Sequence, residues 1–192
     1  MLLLASSSPR RRALLSGAGF EFAVMSPPGE ERFDTHLSLR ELAAWNAVRK
    51  GLAVARNFPD RVVLAADTLV AFEGEIIGKP RDFAHAKEIL ARLSGNVHQV
   101  CTAVFLCRLA DARSLSFAEL SHVGFRRFNA KQIDAYLAKI DPLDKAGAYA
   151  AQGGGREIIA GIDGSFSNVV GLPLERTIPA LREFGIELRP PA

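Results

Sequence analysis

The sequence predicts an α/β protein built on a mixed β-sheet flanked by helices, and three observations carry that expectation. Helix-like and strand-like segments mix along the chain without the strict alternation of a doubly wound parallel sheet. Arg61 to Ala66 is a continuous apolar, β-branched run, the pattern of a strand covered on both faces. Two longer stretches, Val97 to Leu109 and Ser114 to Arg127, look like long strands joined at Ala110 to Arg113. The 192 residues, read as a single domain over 1–192, suffice for one core or for two small lobes sharing one.

Taken in order, Leu2 to Ala5 reads as a short buried strand. Ser8 is a candidate N-cap with Pro9 at the first helical position, opening a helix that passes Leu14 and Leu15 and stops at Gly17 to Gly19. Phe20 to Met25 alternates like a strand, and Pro27-Pro28-Gly29 turns into the acidic pair Glu30-Glu31. Ser38-Leu39-Arg40-Glu41 fits a capping box. It opens a helix to about Phe58, with Leu42, Trp45, Arg49, Leu52 and Ala53 spaced for one face. Asp67 is expected to end the Arg61 strand. Leu69 to Phe72 and Ile76-Ile77 flank Glu73-Gly74-Glu75 as a hairpin. Asp82 caps a helix to Leu93, and Asn129 caps another through Ile140. A glycine-rich stretch from Asp144 to Gly155 precedes a strand near Ile158 to Ile162, a turn at Asp163-Gly164, and a final helix from about Leu174 that Pro179 should kink.

Composition excludes several classes. Apolar residues make up 48% and charged residues 23%, an ordinary soluble balance. No segment reaches the roughly 18 consecutive apolar residues of a membrane span. The opening MLLLASSSPRRR has its basic cluster after its apolar run, the reverse of a secretory leader. Cys101 and Cys107 fall on one strand, roughly 20 Å apart at the strand rise, so they are expected as free thiols in a reducing, cytoplasmic setting. The net charge of +3 is too mild to imply nucleic acid, and the four scattered histidines form no zinc motif with the cysteines.

Four segments offer chemistry. Ser6-Ser7-Ser8-Pro9-Arg10-Arg11 lies between a strand and a helix, where free N–H groups, hydroxyls and guanidinium forks suit phosphate oxygens. Asp67-Thr68 follows a buried strand, a position that faces ligand crevices in α/β proteins. Gly78-Lys79-Pro80 can hold a lysine toward a phosphate, and Gly147 to Gly155, with Gln152 inside, lets backbone approach a ligand closely. Glu31 and Lys50 add a carboxylate and a cation. Together these are the parts of phosphoryl transfer, whose catalysis is mostly positioning and charge stabilisation. Each also has an ordinary structural reading, as a cap, a turn or a solvated charge. Gly153-Gly154-Gly155 is no Walker loop, because no Gly-Lys-Ser/Thr follows.

The set resembles the Maf family of nucleotide pyrophosphatases. The resemblance rests on Leu4-Ala5-Ser6-Ser7-Ser8-Pro9-Arg10-Arg11, Glu31, Lys50, Ala66-Asp67-Thr68, Gly78-Lys79-Pro80, Leu93-Ser94-Gly95, His98 with Thr102, Asp144-Lys145-Ala146-Gly147-Ala148-Tyr149, Gln152-Gly153 and Asn168-Val169-Val170-Gly171-Leu172-Pro173. Three places depart from the family's pattern. Gly51 follows Lys50 where alanine is usual. Pro27-Pro28-Gly29 changes the approach to the acidic pair, leaving Glu30 or Glu31 as the ligand, with Glu31 chosen by its spacing to Lys50. Arg156-Glu157 stands where apolar strand residues are common.

The resemblance implies a fold like that of inosine triphosphate pyrophosphatases, with two lobes and a central cleft, and a homodimer. It implies a divalent cation, magnesium, manganese or cobalt, held by Glu31 and Asp67. Asp67 would act as general base, with Glu31, Lys50 and Lys79 as further catalytic residues and Ser6, Ser8 and Arg11 binding phosphate. Arg10, Thr68 and Gln152 match the family's set for thymidine and uridine triphosphates. A 7-methylguanosine triphosphate enzyme would carry tryptophan, glutamine and glutamate there. The rival readings are a nucleotide-binding regulator of septum formation with little catalysis, a pyrophosphatase for a modified purine, and a nucleic-acid binder. The last would need aromatics interleaved with a basic face.

Overall fold

The computed structural model describes residues 1–28 and 36–188. Its strands are β1 (Leu2–Leu4), β2 (Phe22–Val24), β3 (Val62–Phe72), β4 (Glu75–Ile77), β5 (Val97–Arg108), β6 (Arg113–Phe125) and β7 (Ile159–Asp163). Its helices are α1 (Pro9–Gly17), α2 (Leu39–Ala55), α3 (Phe83–Leu93), α4 (Ala130–Leu137), α5 (Phe166–Val170) and α6 (Leu174–Glu183). The seven strands form one sheet in the order β2-β1-β3-β5-β6-β7, with β4 pairing β3 off that path. β1 is parallel to β2 and β3, and every other pairing is antiparallel, so the sheet is mixed.

Strand alternation sorts the core. Leu3, Ala5, Val63 and Ala65 face one side, packed with α2 residues such as Leu42, Ala43 and Ala47. Leu2, Leu4, Val62 and Leu64 face the other, packed with Leu15 of α1 and Ala180 and Leu181 of α6. A third cluster gathers α3 and α4 around Val70, Val100 and Tyr149 at the far half of the sheet.

Several boundaries differ from the sequence-based expectations. Asp67 does not end a strand: β3 runs unbroken from Val62 to Phe72, because β5 pairs it continuously from Val63 to Ala71. Of the face expected for α2, Leu42 is buried and Leu52 packs against the core, but Trp45 does not turn inward. Trp45 is 38% exposed with Arg49 stacked 5.2 Å from its ring, while Leu42, Ala43, Asn46, Ala47, Gly51, Val54 and Ala55 are buried. A helix lying close over strands favours small residues at the contact, here Ala43, Ala47, Gly51 and Ala55 beside Leu42 and Val54, while Trp45 turns outward. Helix α4 ends at Leu137 rather than Ile140. Helix α5 is additional to the elements expected: despite its β-branched Val169-Val170, the Ser165 hydroxyl caps it by accepting the Asn168 N–H.

The capping boxes at Ser38 and Asn129 and the cap at Asp82 form as expected. The β3–β4 hairpin turns through Glu73 and Gly74, both at positive φ. Pro179 lies within α6. Cys101 and Cys107 are buried free thiols, and burial pushes both up to about 11. Residues 153–157 form a 3-10 turn rather than a strand, which makes a polar Glu157 acceptable, and Lys139 pairs with it at 2.8 Å.

Candidate active site

The site begins at a gap in the sheet. β3 pairs β1 only over Val62–Leu64 and β4 only over Val70–Phe72. Between them, at residues 65–69, no strand among the described residues covers that edge of β3. Asp67 and Thr68 lie in this gap. Because successive strand residues point to opposite faces, the two adjacent side chains serve different sides of the sheet.

Asp67 faces α2 and is 1% exposed. Its Oδ1 accepts from the Lys50 ammonium at 2.5 Å and its Oδ2 from the Asn46 amide at 3.2 Å. Asn46 and Lys50, one turn apart, therefore clasp one carboxylate from the helix. Gly51, the departure beside Lys50, has a packing reason. A Cβ there would stand 2.5 Å from Cδ1 of Phe105 and 3.3 Å from Cβ of Ala65, so the glycine lets α2 approach the sheet over a phenylalanine.

Thr68 faces the other side, where Arg11 is held by all three of its nitrogens. Nε donates to the Gly171 carbonyl at 2.8 Å, Nη1 to Ser6 Oγ at 3.1 Å, and Nη2 to Thr68 Oγ1 at 2.9 Å. Gly171 has φ 125°, and a Cβ there would sit 3.4 Å from Thr68 Oγ1. Ser6 Oγ also accepts the Ser8 N–H at 3.2 Å, while Ser8, at the N-cap position of α1, makes no side-chain cap bond.

These elements enclose a cleft of about 530 Å³ whose walls include Ser6, Ser8, Arg10, Arg11, Lys50, Thr68, Lys79, Lys145 and Gln152. Of the residues expected to act, the structure brings Ser6, Ser8, Arg10, Arg11, Lys50, Thr68, Lys79 and Gln152 to one cavity, with Asp67 just beneath Lys50. Glu31 lies outside the described residues, so its place is not among them. Arg10 is already engaged: Nη1 donates to Asp144 Oδ2 at 3.0 Å, and Lys145 also pairs with Asp144. Desolvation pushes the Asp144 carboxyl up, but the Lys145 hydrogen bond and the Arg10 charge outweigh it and hold it below the usual range.

Sequence reading left two groups, one lining the cleft and one buried behind it, without roles. Tyr149 lines the cleft, and its hydroxyl lies 2.8 Å from His98 Nε2. Burial pushes the Tyr149 phenol up and holds His98 down at about 4. Asn168, fully buried on α5, reaches the middle of β5. A signal existed for it, since Ser165 three residues earlier is a cap spacing.

A surplus of cations around a cleft suits a polyanion. Among the described residues no three His, Cys, Asp or Glu side chains gather to hold a metal ion. Asp67 is a hard oxygen ligand whose present partners, an ammonium and an amide, are exchangeable. It could hold a divalent cation with a further carboxylate.

The profile of the family described as "Maf-like protein" matches residues 1–184. A "dTTP/UTP pyrophosphatase" from a strain of Bacillus cereus is 41% identical over 187 residues, 97% of this chain and 97% of that protein. One of Symbiobacterium thermophilum, of the same name, is 45% identical over 184 residues, 96% of this chain and 94% of that protein. Among solved structures, the Ham1 protein of Staphylococcus aureus aligns over 95% of this chain and 96% of that one, with TM-score 0.48 and 15% identity.

Proposed function

This chain belongs to the Maf family, and from that membership and its cation-lined cleft we infer that it hydrolyses nucleoside triphosphates, dTTP and UTP foremost, to the monophosphate and pyrophosphate. The observation that carries the reading is the edge of β3 at residues 65–69, which no strand among the described residues covers. It sets a buried carboxylate, Asp67, beneath a cavity walled by Lys50, Lys79 and Arg11. Relatives named for this activity match the chain nearly end to end.

In this reading the triphosphate lies along the serine-rich loop before α1. The Ser8 hydroxyl donates to phosphate oxygens there, and Arg11, oriented by Ser6, Thr68 and Gly171, adds fixed positive charge. Asp67 takes the proton of the attacking water once Lys50 turns from it toward the phosphates. Lys50 and Lys79 then neutralise the charge growing on the departing pyrophosphate. Asp67 and Glu31 would hold the divalent cation, magnesium, manganese or cobalt, which supplies Lewis acidity and lowers the pKa of bound water. Arg10 and Gln152, both in the cleft wall, border the base, with Asp144 fixing the guanidinium of Arg10. The reading extends to a cytoplasmic homodimer with no nucleic-acid partner. No helix among the described residues is long and apolar enough to cross a membrane.

The test is a panel of nucleoside triphosphates, including 7-methylguanosine triphosphate, assayed for pyrophosphate. dTTP and UTP are expected to lead by at least about tenfold in kcat/KM, with activity lost in excess chelator. Orthophosphate as product, full activity in chelator, or a lead for the methylated purine would each overturn part of the proposal.

A further inference from the structure

Thr68 is at the end of a hydrogen-bond chain whose direction can be worked out. Asn168 accepts the Thr102 N–H on its Oδ1 at 3.0 Å and donates its Nδ2 to the Val100 carbonyl at 3.1 Å and to Ser121 Oγ at 2.8 Å. Its side chain is thereby fixed, and its own carbonyl is 2.9 Å from Thr102 Oγ1. A carbonyl only accepts, so the single proton of the Thr102 hydroxyl goes to Asn168. Both residues are fully buried, and any other assignment would leave that carbonyl facing an oxygen without a proton.

Thr102 Oγ1 also lies 2.9 Å from Thr68 Oγ1. With its proton spent, Thr102 can only accept there, so the Thr68 hydroxyl donates to it. Arg11 Nη2, which can only donate, fills one lone pair of Thr68 at 2.9 Å. What remains to Thr68 on the cleft side is a lone pair. It cannot donate to a phosphate oxygen or to a base carbonyl. It can accept from an N–H.

We propose that Asn168, acting through Thr102, is a positioning residue that fixes the Thr68 hydroxyl as an acceptor toward the cleft, where it selects a base with an imide N–H. Uracil and thymine carry that N–H at N3. Cytosine has a bare acceptor at the same place and meets lone pair with lone pair. The inference rests on reading the cleft as a nucleotide site and adds the atoms that reject cytosine.

The test compares UTP with CTP, both as kcat/KM and as binding of their non-hydrolysable analogues, in the wild type, Thr102→Val, Thr102→Ser and Thr68→Val. Wild type is expected to favour UTP by at least about tenfold. In Thr102→Val the Thr68 hydroxyl loses its acceptor and turns to the cleft, so the UTP-to-CTP ratio should fall about tenfold in both measurements. Thr102→Ser restores the acceptor and the ratio. Thr68→Val, on a half-buried residue, should also lose discrimination, and it decides the matter if Thr102→Val does not fold. A purely structural Thr102 would lower UTP and CTP equally. An unchanged ratio in a folded Thr102→Val, or in Thr68→Val, overturns the proposal alone, whereas a wild type that neither binds nor hydrolyses UTP overturns it together with the nucleotide reading.

Discussion

Two neighbouring residues, Asp67 and Thr68, have opposite surroundings because a strand turns its side chains over at every step. Asp67 is clasped by Lys50 and Asn46 beneath α2, and Thr68 belongs to the network of Arg11 on the other side. If Asp67 is the general base, Asp67→Asn keeps the shape and loses the proton acceptor. Turnover is expected to fall by about 10²–10⁴ while nucleotide binding persists. The variant should also melt earlier, since the asparagine removes the buried charge of the Lys50–Asp67 pair. Steady-state rates and nucleotide binding by calorimetry check this. Activity within a few-fold of wild type would remove Asp67 from the role. The sequence made both residues candidates, but it could not show that each was already partnered. Those partners lie 17 to 57 positions away in the chain.

Among the elements, α2 shows how packing overrides local preference. An interior glycine costs a helix about 1 kcal/mol relative to alanine. Gly51 nonetheless stands under Phe105, with room for no Cβ. Gly51→Ala is therefore expected to destabilise despite its better propensity, by an overpacking cost of about 1–3 kcal/mol that exceeds the gain. In a Phe105→Leu background the same change should become neutral or stabilising. A double-mutant cycle from thermal or denaturant unfolding measures that coupling, and additive effects would refute it. The helix itself was legible from its capping box. Its inward face was legible only in part, because Leu42, Trp45, Arg49, Leu52 and Ala53 satisfy helical periodicity as well as the buried stripe, with which they share only Leu42.

On the scale of the whole molecule, one buried histidine couples the fold to pH. His98 is 1% exposed, between Phe125 and Tyr149, and its Nδ1 has no hydrogen-bond partner among the described residues. Burial holds it down at about 4, against an ordinary value of 6.5. The unfolded chain thus binds a proton that the folded chain refuses, so stability is whole above pH 6.5 and is lost as pH falls toward 4. The span corresponds to roughly 3 kcal/mol. Chemical denaturation at about pH 7 and about pH 4.5, on either side of the ordinary histidine value, should show that loss, and His98→Gln should lose much less. Equal slopes would exclude His98 as the cause.

By itself the sequence determined the mixed α/β class, the capped starts of α2, α3 and α4, the β3–β4 hairpin and most of the residues that wall the cleft. Those features are written in local chemistry: a cap needs a hydroxyl or carboxylate at one position, and a covered strand needs a run of apolar residues. Only the tertiary structure decided that β3 runs on through Asp67, that no strand among the described residues covers its edge between β1 and β4, and that Arg10 rests on Asp144. It alone carried a short helix from the far end of the chain to place Asn168 against β5. Pairing of distant strands sets these features, and no local pattern records which edge a strand leaves open or which carbonyl will take a hydroxyl proton.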